Sequence, residues 1–318
     1  MSQKSAVSEN QATPQPSARA RALVRGAYDL HVHIDPDLIP RRITDVQLAH
    51  RFSELGLAGF VLKSHYVPTA ERAAVVRAAV PGVNVLGSIV LNNPIGGMNP
   101  IAVEIAARSG GRIVWMPTTD AANEANEHAR MPAGAKLPLW ARLQQDLRDA
   151  GLALPPVQVV DKNGALLPET RQVLEVIARR QMIVATGHLG RDEIFAVVDG
   201  AIEAGVGQII VTHPDYPTQN LSIDDQIALA ARGAWLERCF TTPHTGKIAW
   251  EQLIEVIRAT GPAHSLLSTD LGQPANPPVE DGLALFADHL LAAGFSEEEV
   301  QTMAVTNSVR LATGKGEA

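Results

Sequence analysis

The chain has 318 residues, 46% of them apolar and 19% charged, which suffices for a large buried core and excludes intrinsic disorder over most of its length. Its 27 basic against 34 acidic residues leave a formal charge of −7, with no basic block interleaved with aromatics, so nucleic acid is not an expected partner. The single cysteine, Cys239, excludes an intrachain disulfide framework and a cysteine-based zinc site, and fits a reducing cytoplasm. Residues 1–25, rich in Ser, Gln, Pro and Arg, lack the apolar stretch of a secretory signal and read as a solvated, disordered tail. No later segment reaches the roughly 18 uncharged apolar residues of a membrane span, so a cytoplasmic protein with no membrane contact is expected.

From Tyr28 onward, short apolar runs alternate with amphipathic segments. A strand is predicted over 28–34, then a helix begun by Thr44-Asp45 and ended by Gly56. A strand over 59–65 leads to a helix capped by Thr69 and stopped by Pro81. After a strand over 84–92, Asn99-Pro100 supplies a cap and a proline at the first helical position of a helix running to Gly110-Gly111. The fourth strand, 112–118, precedes a long segment from Thr118 to about Leu137 that reads as a βα loop and candidate lid. A helix over 138–150 follows. Residues 157–169 then place Asn163-Gly164 between two extended runs, a β-hairpin pattern.

Strands over 182–188, 208–213, 234–240 and 265–270 then alternate with helices over 169–180, 191–204, 223–232, 248–260 and 281–293. Gly151, Gly205, Gly233, Gly261 and Gly294 stand just past five of the helices, where a left-handed C-cap is wanted. A last helix opens with the capping box Ser296-x-x-Glu299. Eight βα units predict an α/β fold: a (β/α)8 TIM barrel in one domain, 26–318, with a β-hairpin inserted before the fifth unit. Apolar positions on the outer helices leave a homo-oligomer open, though no stripe singles out a face.

In such a barrel the catalytic face is the C-terminal end of the strands, and the polar residues of interest fall there. His31 and His33 share a face of the first strand, and Lys63 and His65 a face of the second, because side chains alternate. His188 ends the fifth strand, His213 the sixth and Asp270 the eighth. Neutral imidazoles and a carboxylate converging on one point suit a divalent cation, zinc first and manganese as the alternative.

With His31-Val32-His33, His188, His213 and Asp270 in this order on these strands, and TNSVRLATG closing the chain at 306–314, residues 28–315 resemble the metal-dependent amidohydrolase superfamily. The phrases VLKSH, VLNNPIGGMNP, WMPTTD and LSTDLGQ look like an uncharacterised subgroup of it. The resemblance implies a centre of one or two ions that activates water and polarises a carbonyl or phosphoryl oxygen. Asp270 would ligate metal and act as general base. In a binuclear version His31, His33 and Asp270 would hold one ion, and His188 and His213 the other.

In many binuclear relatives a carbamylated lysine or a glutamate bridges the ions from the fourth strand, whereas here RIVWMPT ends without either. Lys63 is the nearest substitute. It is either a carbamylated metal ligand, which requires the neutral amine favoured by desolvation, or an ammonium that binds substrate or pairs with Asp29 or Asp35. His65 is a ligand, a substrate donor or a packed barrel-mouth histidine. Glu237 shares a face of the seventh strand with Cys239, and it is placed to orient a ligand histidine through the second ring nitrogen. Asn92, Asn93 and His244 lie on mouth loops as candidate contacts to a small-molecule substrate, and Arg41, Arg42 and Arg130 as candidate partners of a substrate carboxylate.

The leading expectation is a metal-dependent hydrolase of a small amide, cyclic amide or ester. A one-metal lyase such as a decarboxylase, a phosphoesterase, and a non-catalytic metal- or small-molecule-binding barrel are the alternatives.

Overall fold

Runs of Val, Ile and Leu that are buried on both faces leave a strand no solvent side, and such strands pair in parallel with helices covering them. The computed structural model, which describes residues 14–129 (127–129 in backbone only), 139–219 and 221–314, shows this arrangement. Eight parallel strands pair in sequence order: β1 (Tyr28–Val32), β2 (Gly59–Leu62), β3 (Asn84–Val90), β4 (Gly111–Trp115), β5 (Ile183–Ala185), β6 (Ile209–Val211), β7 (Trp235–Cys239) and β8 (Ser265–Ser268). The sheet is drawn closed between β8 and β1 by a parallel bridge from Val32 to Leu271. There the His33 N–H donates to the Leu271 carbonyl and the Asp270 N–H to the His31 carbonyl, both at 2.8 Å. This is a (β/α)8 TIM barrel.

The helices, in chain order, are α1 (Ala18–Leu23), α2 (Asp45–Leu55), α3 (Ala70–Ala79), α4 (Pro100–Arg108), α5 (Ala122–Ala129), α6 (Leu139–Asp149) and α7 (Pro168–Arg179). They continue with α8 (Arg191–Glu203), α9 (Ile223–Ala231), α10 (Thr241–His244), α11 (Trp250–Thr260), α12 (Val279–Ala292), α13 (Glu297–Gln301) and α14 (Asn307–Thr313). Among the described residues, no helix is long and apolar enough to cross a membrane.

Two apolar layers lie between the strands and the surrounding helices, one containing Val32, Phe52, Phe60 and Phe286, the other Ile89, Val114, Val184 and Val211. A third fills the barrel itself: Leu30, Val61, Val90, Ile113, Trp115, Ile183 and Leu266 pack with Leu311 and Ala312 of α14. The barrel is a packed core at one end and carries its polar residues at the other. The pairing of β1 with β2 slips between Asp29 and Val32, so that Leu30 joins the interior and Val32 the outer layer.

Three expectations are corrected. The tail over 1–25 ends earlier, because Ser17 caps α1 by accepting the Ala20 N–H. Buried Ala20 and Leu23 then anchor that helix, with Ser17 bonded to Asp288 and Arg21 paired with Asp281; residues 1–13 lie outside the described residues. The hairpin over 157–169 is a turn at Asp161–Gly164 held by one antiparallel bridge, Val160 to Leu166, rather than a two-stranded ladder. The predicted lid from Thr118 contains helix α5; its part over 130–137, with Arg130, lies outside the described residues.

Candidate metal centre

Most of the strands stop short of the runs predicted for them, and the residues that follow them are the polar ones. His33, Lys63, His65, His188, His213 and Asp270 all stand just beyond their strands' last paired positions, where the backbone is free to turn a side chain over the barrel mouth. Two of them adopt the left-handed conformation rare for such residues, His213 at φ 27° and Asp270 at φ 53°, a strain that folded structure sustains mainly at functional sites. Glycine makes two of these turns possible. Before His188, Gly187 has φ 61° and a Cβ there would lie 2.4 Å from the Met116 carbonyl oxygen; after Asp270, Gly272 passes so close to His33 that a Cβ would lie 1.6 Å from its carbonyl oxygen.

The turns converge on one point. Asp270 Oδ1 lies 3.2 Å from His31 Nε2 and 3.1 Å from His33 Nε2, and the three donor atoms lie within 4.8 Å of one another. The imidazole rings are buried, whereas the Asp270 side chain is 21% exposed, so the cluster opens to solvent through its carboxylate. The second oxygen, Asp270 Oδ2, accepts the Thr241 hydroxyl at 3.0 Å.

Behind His31, Glu237 Oε2 is 3.1 Å from Nδ1 and Cys239 Sγ 3.8 Å. Burial pushes the Cys239 thiol well up, keeping it protonated. Lys63 Nζ lies 2.8 Å from His31 Nε2 and over the Trp115 ring. The remaining histidines complete the floor: His33 stacks on His65 with centroids 4.9 Å apart, and His188 meets His213 at 5.0 Å. His65 Nδ1 is hydrogen-bonded to the Thr118 hydroxyl at 2.8 Å.

The electrostatics fit a cation. Burial, reinforced at His33 by Arg41, holds His33, His65 and His213 well below the usual histidine range, so their rings are neutral, the form in which an imidazole can ligate a cation. Asp270 is the reverse case: burial alone would raise it, but the His31 and His33 rings hold it well below the usual carboxylate range. His31 is raised, as Asp270 and Glu237 outweigh burial and Lys63. Burial lowers Lys63 toward the neutral amine. His31 Nε2, His33 Nε2 and the ionised Asp270 Oδ1 form a donor set within 4.8 Å that a divalent ion would satisfy, and nearby His213 Nδ1 is buried without a hydrogen-bond partner.

Below the cluster, Asp29 closes the β1–β8 seam. Its Oδ1 accepts the N–H groups of His31 at 3.2 Å and Thr269 at 3.1 Å, and its Oδ2 accepts the Thr269 hydroxyl at 2.5 Å. Burial still pushes this carboxyl up to about 7.

Not every predicted contact faces the mouth. Asn92 is buried, and its amide donates to the His65 carbonyl and the Thr118 hydroxyl while its oxygen accepts the Thr118 N–H; it ties three loops together and has no free group for substrate. Asn93 donates to the Pro155 carbonyl. His244 stacks on Phe240 at 4.9 Å, in an aromatic cluster with Trp250 and His289 outside the barrel, because Phe240 belongs to the outer core. Arg41 is paired with Asp37 at 2.7 Å, and Arg42 donates to the carbonyls of Pro274 and Asn276.

One residue the sequence reading passed over does reach the cluster. Glu124, in the first turn of α5, places Oε1 2.8 Å from His188 Nδ1, with the ring turned off hydrogen-bond alignment. It supplies from the segment after β4 a carboxylate that β4 itself lacks.

A search of curated proteins gives no match. Among solved structures, an amidohydrolase from Pseudomonas aeruginosa superposes with a TM-score of 0.59 at 12% identity, covering 92% of this chain and 98% of that one. The protein described as the probable dipeptidase PvdM from Pseudomonas aeruginosa gives 0.60 at 11% identity, with 92% and 96% covered. A metallo peptidase from Rhodobacter sphaeroides, liganded with a phosphinate mimic of the dipeptide L-Ala-D-Ala, gives 0.56 at 14%, with 91% and 99% covered. At these identities the likeness is one of fold. The family described as a family of unknown function, DUF6282, matches residues 26–237, and the chain belongs to it.

Proposed function

We propose that this protein is a metal-dependent hydrolase acting on a small amide, cyclic amide or ester. The observation that carries the reading is the convergence of His31 Nε2, His33 Nε2 and Asp270 Oδ1 within 4.8 Å, with the carboxylate as the one solvent-reaching member. The structural neighbours described as an amidohydrolase, a probable dipeptidase and a metallo peptidase support it. His31, His33 and Asp270 would hold one divalent ion, zinc or manganese; His188 and His213 would hold a second, with Lys63, as the amine or its carbamate, beside them.

A bound divalent ion would supply Lewis acidity, easing deprotonation of water and polarising the scissile carbonyl. The rest is the work of the chain's own groups. Asp270, ionised by its histidine neighbours, takes a proton from the attacking water at Oδ2, the oxygen that the Thr241 hydroxyl orients. The water oxygen bonds to the carbonyl carbon, the carbon–nitrogen or carbon–oxygen bond breaks, and Asp270 returns the proton to the leaving atom. Glu237 fixes the His31 ring, so that Nε2 stays directed at Asp270.

A one-metal lyase is the second reading. It is favoured by the fact that, among the described residues, His188 and His213 join no group of three potential ligands. Metal analysis of chelator-free protein, followed by chelator stripping and zinc or manganese readdition against a panel of cyclic amides, dipeptides and esters, tests the proposal. Metal-dependent water incorporation that Asp270→Asn abolishes is the expected result. Hydrolysis surviving metal removal or Asp270→Asn overturns it, and carbon dioxide release without water incorporation selects the lyase.

A further inference from the structure

Glu124 has no assigned role in the mechanism above, yet it is a buried carboxylate, 8% exposed, with Oε1 2.8 Å from His188 Nδ1. A carboxylate removed from water is held there only at a cost that a partner must offset. The turn that delivers it is fixed on several sides. Asp120 accepts the Asn93 N–H at 2.8 Å and the Gln144 amide, and its own carbonyl accepts the Val157 N–H at 2.7 Å. The next residue but two, Asn123, donates from Nδ2 to the His188 carbonyl at 3.2 Å and to the Thr218 carbonyl at 2.8 Å. The first turn of α5 therefore meets His188 twice, by an Asn123 hydrogen bond to its backbone and by the 2.8 Å approach of Glu124 to its ring, and together with Asp120 it spans the loops that follow β3, β5 and β6.

We propose that Glu124 is a positioning residue for the metal centre, acting through His188, as Glu237 acts through His31. The inference rests on the metal-dependent reading given above. With Glu124 Oε1 2.8 Å from Nδ1, though off hydrogen-bond alignment, the His188 ring has Nε2 as its ligand atom, and the neighbouring carboxylate favours the tautomer protonated at Nδ1. The fold thus delivers two carboxylate–imidazole pairs to the barrel mouth: one carboxylate comes from strand β7, the other from a helix in the segment after β4. Only the second is placed where movement of α5 would alter a ligand.

The test is a zinc titration of the full, chelator-stripped chain, comparing wild type with Glu124→Ala, Glu124→Gln, His188→Ala and the double variant Glu124→Ala/His188→Ala. Loss of an outer carboxylate partner typically weakens metal affinity by about 10–100-fold. That loss is expected for Glu124→Ala, with partial rescue in Glu124→Gln, whose amide oxygen keeps an acceptor beside Nδ1 without the charge. In the His188→Ala background Glu124→Ala is expected to add nothing. Unchanged zinc affinity in Glu124→Ala overturns the proposal, and so does an equal further loss in the His188→Ala background, since the carboxylate would then not act through the ring. Should Glu124→Ala fail to fold, the same comparison is made with Glu124→Gln. Zinc binding by wild type with no response to Glu124 defeats this inference alone; absence of zinc binding by wild type defeats the metal-dependent reading with it.

Discussion

Glu237 Oε2 and His31 Nδ1 face each other at 3.1 Å across the β7 end of the barrel, and the opposite nitrogen of the same ring lies 3.2 Å from Asp270 Oδ1. The two carboxylates thus hold one imidazole from both sides, and the ring's orientation is set by the partner that does not take part in the chemistry. Glu237→Ala is expected to weaken zinc affinity by about 10–100-fold, with Glu237→Gln falling between. Competition with a chromophoric chelator measures this. Affinity equal to wild type in both variants would show that Glu237 merely fills space beneath the site.

Lys63 presents a different relationship. Its buried Nζ lies 2.8 Å from His31 Nε2, the nitrogen assigned to the metal, and burial draws it toward the neutral amine. A neutral amine is the form that reacts with carbon dioxide. Elemental analysis of protein purified with bicarbonate and without chelator is expected to show two metal equivalents per chain in wild type and one or none in Lys63→Ala. About one equivalent in both would make Lys63 a substrate-binding group and would strengthen the lyase reading.

The strand starts were legible because apolar runs of Val, Ile and Leu announce themselves. Their ends were not, since His33, Lys63 and His188 continue the apparent run while their backbones have already left the ladder. His31, His33, Lys63, His188, His213 and Asp270 could be placed at one mouth from strand order alone, and alternation along β7 pointed Glu237 at a histidine of the cluster without saying which; it is His31. Asn92 and His244 were misplaced for a tertiary reason: a polar loop residue can serve backbone as readily as substrate, and nothing local shows that Phe240 draws His244 outward. Glu124 was hidden in an irregular stretch. Its cue was an acidic residue in a helical first turn three positions after the buried bridge residue Ala121, visible only once α5 is known to exist. Helix α1 was more accessible, as Ser17 followed by Ala, Arg and Leu is a capped run of strong helix formers.

The β1–β8 seam depends on a side chain as well as on backbone. Asp29 receives two N–H groups and a hydroxyl where β1 meets the end of β8, beside His31 and Thr269. Asp29→Ala leaves those buried donors unpaired, each costing about 1–3 kcal/mol, so a loss of about 3 kcal/mol in urea denaturation is expected. Thr269→Val, which removes the hydroxyl alone, is expected to cost about 1 kcal/mol. Equal stability of Asp29→Ala and wild type would mean that the backbone bonds of His33 and Asp270 close the barrel unaided.

Away from the mouth, Asp225 joins α8 to α9 and gives the chain an acid-sensitive contact. Hydrogen bonds from Arg191, at 2.6 to 3.0 Å, together with those from Ser222, hold its carboxyl down at about 2 against an ordinary 3.8. The folded chain therefore binds fewer protons here than the unfolded chain between those two values. The contribution to stability is fully present above about pH 4 and is lost as pH falls toward 2. Arg191 is 46% exposed, so solvent screening confines the pair to about 0.5–1 kcal/mol. Asp225→Asn should accordingly be less stable than wild type at pH 7 by about that amount, with the gap narrowing in high salt and closing by about pH 2. A gap that persists unchanged at pH 2, measured by urea denaturation across the range, would assign Asp225 to the neutral helix cap with Ser222 rather than to its charge.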